Sequence, residues 1–188
     1  MDGMKNSLTS AVRLSRRSLL SGLAFTATSP IVAFGNDAKA GITSRQWQAI
    51  SSIYSKTLAH PFLKGLTDGS LPKERFDFYL KQDSLYLVAY AEALNLLAAR
   101  APRVDWMLFF NDGAKSCVVT EKALHESLLR GASATQMTPV NYAYTNHLLA
   151  TVSRKSFAEG VAAVLPCYQI YWEVGKELKR RGSKNGDY

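Results

Sequence analysis

The sequence predicts an all-α protein, and three observations support that prediction. Apolar residues recur three and four positions apart along most of the chain, the spacing that places them on one face of an α-helix. No segment alternates apolar and polar residues over a convincing strand length. Prolines and glycines mostly fall between the periodic stretches, where they mark helix starts and ends. The 188 residues are enough for one helical domain with a substantial core.

Five helices are predicted from this periodicity and its interruptions. They cover approximately residues 43–60, 72–100, 104–130, 138–153 and 157–181. Pro61 ends the first helix, and a Thr-Asp-Gly-Ser turn over 67–70 follows it. Pro72 then opens the long second helix, which Ala101 and Pro102 break.

The last three predicted helices also have recognisable ends. The third contains Gly113 as a weak point and stops at Gly131. Thr138 and Pro139 read as the N-cap and first-turn proline of the fourth helix. The fifth begins at about Phe157, and a proline lies within it.

Residues 1–40 have the organisation of an export signal. A basic start that contains Arg16 and Arg17 precedes a mildly apolar stretch from Leu19 to Phe34, and Ala38-Lys39-Ala40 offers a cleavage site. Paired arginines before a weakly apolar stretch are typical of a twin-arginine signal, with an ordinary secretory signal or a plain extension as alternatives. The stretch is too short and too interrupted to span a membrane. We therefore divide the chain into a signal, 1–40, and a helical domain, 41–188.

The net charge of +8 is partly a property of this signal. Five of the 23 Lys and Arg and two of the 15 Asp and Glu lie in residues 1–40, which leaves 18 against 13, or +5, for the rest. No basic-aromatic motif accompanies this diffuse charge, so the sequence argues against a nucleic-acid partner.

Cysteine and histidine usage argues against a metal centre. Cys117 and Cys167 have no paired-cysteine metal spacing, and two cysteines make a poor disulfide framework even in an oxidising compartment. Glu121 and His125 are four residues apart, which suits a metal pair or an ordinary helix-surface pair. With three histidines in the chain, we expect no metal and no cofactor.

Asp83 stands out because it interrupts an apolar stripe of the second helix. The stripe comprises Phe76, Tyr79, Leu80, Asp83, Tyr86, Leu87, Tyr90, Ala91 and Leu94. A carboxyl group among apolar side chains must find hydrogen-bond partners or take up a proton. The residues alone leave open whether Asp83 acts on a ligand or ties tyrosine hydroxyls and helix ends together.

Pro166 and Cys167 form the second unusual feature. Proline cannot donate to the carbonyl of Ala162, so the helix is predicted to kink or to restart there. A restart would place Cys167 beside the N–H groups at a positive helix end, where a thiolate is stabilised. The alternative is that Cys167 is a small buried hydrophobic residue.

Four segments together resemble the thiaminase II (TenA) family. They are His60–Pro72, Tyr79–Leu87, Tyr142–His147 and Leu165–Lys176, in the family's order and across nearly all of residues 41–188. The resemblance implies an all-α, haem-oxygenase-like helical bundle that usually assembles as a homotetramer. It also implies hydrolysis of aminopyrimidines from thiamin breakdown, or of thiamin itself.

The resemblance assigns roles to four residues. Cys167 matches the family's nucleophile and places this chain with the cysteine type. Asp83 matches the aspartate that holds the aminopyrimidine ring and relays a proton to a ring nitrogen, and Tyr86 and Tyr144 match pocket tyrosines. The residues alone also allow both tyrosines to be core residues with satisfied hydroxyls.

The resemblance stops at about Gly182, where family members continue with a Tyr-Gly-Gly segment, further helices and a glutamate that protonates the leaving group. We therefore expect an uncovered apolar face and slow turnover, with the C-terminal helices missing or with partner subunits in their place. The competing hypotheses are a pyrimidine-binding protein without efficient turnover and a helical assembly subunit. Glu173 and Glu177 are not assigned the acid role.

Overall fold

All elements in the described part of the chain are helical, as the sequence predicts. The structure is a computed structural model that describes residues 41–121 and 136–182. The α-helices are α1 (Ile42–Ala49), α2 (Ser51–Leu58), α3 (Pro61–Asp68), α4 (Lys73–Arg100), α5 (Val104–Ser116), α6 (Pro139–Arg154) and α7 (Phe157–Arg181). A π-helical turn, Cys117–Glu121, follows α5. The predicted signal, Gly131 and the partner of Glu121 at position 125 lie outside the described residues.

The first predicted helix is wrong in two respects. Ile50, with φ −96° and ψ 3°, separates α1 from α2. Pro61 begins a further helix instead of only ending one, because the imidazole Nδ1 of His60 accepts a hydrogen bond from the Phe62 N–H at 3.2 Å. A proline at the first helical position loses no intrahelical hydrogen bond, so Pro61 suits the start of α3.

The second predicted helix is confirmed. Gly69 ends α3 in the left-handed region at φ 80°, and α4 then runs for 28 residues after Pro72. One side of α4 is buried along almost its whole length. Its buried residues are Phe76, Leu80, Tyr86, Leu87, Tyr90, Ala91, Ala93, Leu94, Leu97 and Ala98. The middle of the helix, residues 81–85, is only half-buried.

The helix α5 continues through Gly113, and this glycine allows a close approach. A Cβ at this position would lie 2.5 Å from the Tyr168 hydroxyl oxygen and 3.3 Å from Leu94 Cδ1. The absence of a side chain at Gly113 therefore lets the ring of Tyr168, from α7, reach the α4–α5 interface.

The ends of α6 and α7 are as predicted. The Thr138 hydroxyl accepts from the Asn141 N–H at 3.4 Å, and Pro139 occupies the first turn of α6. Ser156 and Glu159 form a reciprocal capping box at the start of α7.

The fifth predicted helix, 157–181, is confirmed, and of the two alternatives at Pro166, a kink or a restart, the restart is wrong. The single helix α7 includes Pro166 in its interior, so Cys167 lies ten residues past Phe157 and not at a helix N-terminus. Val164 and Val174 on either side of Pro166 are buried, so this part of α7 packs against the bundle. The Tyr90 hydroxyl also donates to the Val164 carbonyl at 2.9 Å. The free N–H groups of a helix N-terminus are therefore not next to the Cys167 thiol.

Two buried clusters meet along α4. The larger joins the C-terminal half of α4 to α5, α6 and the first half of α7. The smaller joins α3 and the start of α4 to the end of α7, through residues such as Leu66, Leu80 and Leu178. Asp83 lies between these clusters along α4.

Several large apolar side chains are exposed on the described surface. Val140 is 80% exposed, Val104 69% and Phe78 56%. Among the described helices, none is both long enough and apolar enough to cross a bilayer.

Candidate active site

A cavity of about 300 Å³ lies where α4, α6 and α7 meet. Its lining comprises Tyr79, Gln82, Asp83, Tyr86, Asn141, Tyr144, Pro166, Cys167, Ile170 and Tyr171. The structure thus brings together all four residues singled out in the sequence, Asp83, Tyr86, Tyr144 and Cys167. Pro166 itself faces the cavity, although it does not restart the helix.

Helical spacing explains why each helix contributes several lining residues. Side chains three or four positions apart share a face, as Tyr79, Asp83 and Tyr86 do on α4. Asn141 and Tyr144 obey the same rule on α6. Three separate faces therefore converge on one space.

Tyr86 and Tyr144 form one wall of this cavity. Their rings stack at 5.8 Å between centroids and 7° between planes, and Tyr86 also stacks on Tyr90 at 5.4 Å. The Tyr86 hydroxyl lies close enough to the Cys167 thiol and to the Tyr144 hydroxyl to interact electrostatically with both. Burial first, and then the proximity of Cys167, raises the pKa of Tyr86 far above 10, so its hydroxyl stays protonated. A protonated hydroxyl next to sulfur can donate a hydrogen bond to a thiolate.

Tyr90 holds the other side of the thiol and was missed as a site residue. Its hydroxyl is in hydrogen-bonding contact with Cys167, and its proton is donated to the Val164 carbonyl. Tyr90 is 1% exposed, and its position four residues after Tyr86 is the only sequence signal that it adjoins the site.

Asp83 is half-buried beside a pair of tyrosines. The hydroxyls of Tyr79 and Tyr171 lie 3.0 Å apart. Burial, followed by the proximity of Tyr171, Asp83 and Cys167, raises the pKa of Tyr79 well above 10. The Tyr79 hydroxyl near Asp83 therefore stays protonated and can act as a hydrogen-bond donor at this edge of the cavity.

Gln82 and Asn141 form a polar network at the edge of the cavity that periodicity could not reveal. The Gln82 Oε1 accepts from the Thr138 N–H at 2.9 Å and from Asn141 Nδ2 at 3.1 Å. Asn141 Nδ2 also donates to the Gln82 backbone carbonyl at 2.8 Å. This network joins the start of α6, and with it Tyr144, to the turn of α4 that carries Asp83.

The family profile described as TENA/THI-4/PQQC matches residues 47–188 of this chain. The chain belongs to this family. The match covers the three helices that line the cavity, so the geometry described above is that of a family member.

Two relatives of this chain are a thiamine biosynthesis protein and an aminopyrimidine aminohydrolase. The thiamine biosynthesis multifunctional protein ThiED of Corynebacterium efficiens is 37% identical over 154 residues, which cover 78% of this chain and 20% of that protein. The aminopyrimidine aminohydrolase of Bacillus subtilis is 34% identical over 137 residues, which cover 69% of this chain and 58% of the enzyme. The chain thus spans less than two thirds of either relative.

Solved structures support the same fold. A TenA family transcription regulator from Silicibacter sp. TM1040 superposes with a TM-score of 0.71 and 28% identity, over 78% of this chain and 67% of that chain. The all-α helical bundle implied by the sequence resemblance is therefore confirmed.

The cavity of this family member opens into a wider groove of about 1470 Å³. The two share Tyr79, Gln82, Asp83, Asn141, Tyr144, Ile170 and Tyr171. The groove continues between α3, the start of α4 and the end of α7, where its lining is mostly apolar, as at Phe62, Leu66 and Phe78. The small cavity can hold a single ring, and the groove can accept a substituent that projects from it.

Neither cysteine is in a disulfide, and no cluster of three His, Cys, Asp or Glu occurs within residues 41–121 and 136–182. Glu173 pairs with Lys176, and Glu177 pairs with Arg180 and Arg181. The Arg180 and Arg181 hydrogen bonds lower the pKa of Glu177 to about 2, which makes it a poor proton donor near neutral pH. Neither glutamate lines the 300 Å³ cavity.

Proposed function

We propose that this protein hydrolyses an aminopyrimidine of thiamin metabolism, with Cys167 as the nucleophile. The observation that carries the proposal is the half-buried Cys167 thiol, which lines a ring-sized cavity together with Asp83 and stacked tyrosines. The relatives named aminopyrimidine aminohydrolase, at 34% identity for the one from Bacillus subtilis, supply the reaction class.

In the proposed reaction the Cys167 thiolate adds to an electron-poor carbon of the pyrimidine ring, and Asp83 passes a proton to a ring nitrogen. The amine substituent then departs and takes up a proton to leave as ammonia. Water adds where the amine left, and expulsion of the thiolate restores the ring and the enzyme. The net change is exchange of an amino group for a hydroxyl group, with one water consumed.

The cavity residues have distinct tasks in this scheme. Tyr86 donates to the sulfur as it becomes negative, and Tyr144, stacked on Tyr86, supplies a flat face for the pyrimidine. The proposal assigns the protonation of the leaving amine to neither Glu173 nor Glu177, in keeping with their ion pairs.

The test is release of ammonia from an aminopyrimidine by the full chain, compared with two serine variants. We expect Cys167→Ser to keep the fold and reduce the rate to about one thousandth or less, because a hydroxyl ionises far less readily than a thiol. Cys117→Ser is the matched control, since Cys117 is buried and does not line the cavity. Tight binding without ammonia release would instead indicate a pyrimidine-binding protein, and equal activity of the two variants would remove Cys167 from the mechanism.

We also propose, from the sequence, export through the twin-arginine signal in residues 1–40 and assembly into a homotetramer. Cell fractionation of the wild type and of an Arg16→Lys, Arg17→Lys variant tests the first proposal. Light scattering on the purified protein tests the second. A cytoplasmic wild type would overturn the first proposal, and a monomer would overturn the second.

A further inference from the structure

The hydrogen bonds around Gln82 fix the orientation of its carboxamide. A backbone N–H can only donate, so the atom 2.9 Å from the Thr138 N–H must be the Gln82 oxygen. The Gln82 nitrogen then donates to the Gln136 carbonyl at 3.0 Å, which uses the other end of the amide in the matching sense. Both ends of Gln82 therefore have a partner of the correct kind.

The same argument identifies the two ends of the Asn141 carboxamide. The Gln82 backbone carbonyl can only accept, so the Asn141 atom 2.8 Å from it must be the nitrogen. The second hydrogen of that nitrogen points to Gln82 Oε1 at 3.1 Å. Both hydrogens of the Asn141 amide are thus directed at Gln82, and the carboxamide cannot turn over without losing two hydrogen bonds.

The Asn141 oxygen is left as an acceptor. Over residues 41–121 and 136–182, no side chain or backbone N–H donates to it. Asn141 lines the 300 Å³ cavity beside Asp83, and Tyr144 lies one helical turn further along α6. A half-buried carbonyl oxygen held in one orientation at the cavity edge is suited to accept a hydrogen bond from a bound molecule.

We infer that Asn141 is a specificity-determining residue whose Oδ1 accepts an N–H from the amine bonded directly to the pyrimidine ring, which is the 4-amino group of the probe used below. This inference rests on the proposed function. An amine has two hydrogens, so Asn141 can accept one while Asp83 accepts the other. A ring that carries a carbonyl oxygen at the same position would instead present an acceptor to two acceptors. The Gln82–Asn141 network thereby selects amino-substituted over oxo-substituted pyrimidines.

The first test uses the wild-type chain and three related probes. These are 4-amino-2,5-dimethylpyrimidine, 2,5-dimethylpyrimidine and 2,5-dimethylpyrimidin-4-one, and their dissociation constants are measured by calorimetry or NMR titration. We expect the amino compound to bind about tenfold or more tightly than the unsubstituted one, and the oxo compound to bind most weakly. Equal binding of all three would overturn the inference but not the proposed function. Binding of none would overturn the proposed function and the inference with it.

The second test asks whether Asn141 supplies this preference. In Asn141→Ala we expect the amino-over-unsubstituted ratio to fall about fivefold, whereas a merely structural role would weaken both probes equally and leave the ratio unchanged. Asn146→Ala is the matched control, because its Nδ2 donates to the Tyr142 carbonyl at 2.9 Å on the same helix and Asn146 does not line the cavity.

Asn141→Ser provides a second variant that suits the first turn of α6 should the alanine variant unfold. Its hydroxyl is too short to reproduce the position of the amide oxygen, so we expect the same loss of preference. A ratio that stays at the wild-type value in a folded variant would overturn the inference.

Discussion

Cys117 and Cys167 both lie close to Tyr90 and Tyr168, yet only Cys167 lines the cavity. Cys117 is 8% exposed in the larger buried cluster, whereas Cys167 is half-buried and only packs against that cluster. The comparison teaches that residue type does not distinguish a cavity-lining cysteine from a core cysteine in this bundle. What distinguishes them is the side of Tyr90 and Tyr168 on which the thiol lies. Cys167 lies on the side of the cavity, and Cys117 lies on the side of the buried core.

The largest effect is expected on the cavity side, at Asp83. Asp83→Asn should lower turnover by about 10²–10⁴-fold and also weaken binding, because an amide cannot carry the negative charge or relay a proton. Steady-state kinetics and ligand titration measure both effects. Asp77→Asn is the control, since Asp77 lies on α4 in an exposed ion pair with Lys73. Normal kinetics in a destabilised Asp83→Asn protein would make Asp83 a structural residue.

On the core side, Gly113→Ala should lower stability more than activity. The added methyl group would meet the Tyr168 hydroxyl at 2.5 Å, and overpacking of this kind costs about 1–3 kcal/mol. Chemical denaturation measures the free energy of unfolding, with the exposed Asn111→Ala on the same helix as the control. An unchanged free energy of unfolding would show that Tyr168 does not need the space at Gly113.

The smallest effect is expected at Tyr90, which lies between the cavity and the buried core. Tyr90→Phe removes the hydrogen bond to the Val164 carbonyl and the contact with Cys167. We expect the free energy of unfolding to fall by about 1 kcal/mol. The same variant should change the reaction rate of Cys167 with a thiol reagent, which a purely structural tyrosine would not do. Tyr142→Phe, on an exposed tyrosine, serves as the control. If the Tyr90→Phe variant has the stability and the thiol reactivity of the wild type, Tyr90 has no role in the site.

Much of the fold could be predicted because its boundaries depend on local chemistry. Pro72, Pro139 and the start of α7 at Phe157 follow from capping and proline rules that act within a few residues. The span of α7 was predicted, but the sequence left open whether the helix restarts at Pro166, because contacts from another helix, such as the Tyr90 hydrogen bond to the Val164 carbonyl, act on that segment. Propensity is a weak guide wherever such tertiary contacts compete with it.

The candidate site divides in the same way. The stripe on α4 could be predicted from period alone, and the resemblance added Tyr144 and Cys167 from other helices. The sequence indicated Tyr90 only as a member of the apolar stripe and not as a site residue. The hydrogen bonds between Gln82 and Asn141 join residues 59 positions apart. Contacts of that separation depend on how α4 and α6 pack, which single-sequence periodicity does not encode.

The most direct test of the contrast between the two thiols is competitive labelling of one protein. The wild-type chain is treated with iodoacetamide, with and without an aminopyrimidine, and modification of Cys117 and Cys167 is followed by mass spectrometry. We predict that Cys167 is modified several times faster than Cys117 and that the aminopyrimidine protects Cys167 alone, because only that thiol lines the cavity. Equal rates at the two cysteines, unaffected by the aminopyrimidine, would contradict the assignment of Cys167 as the nucleophile.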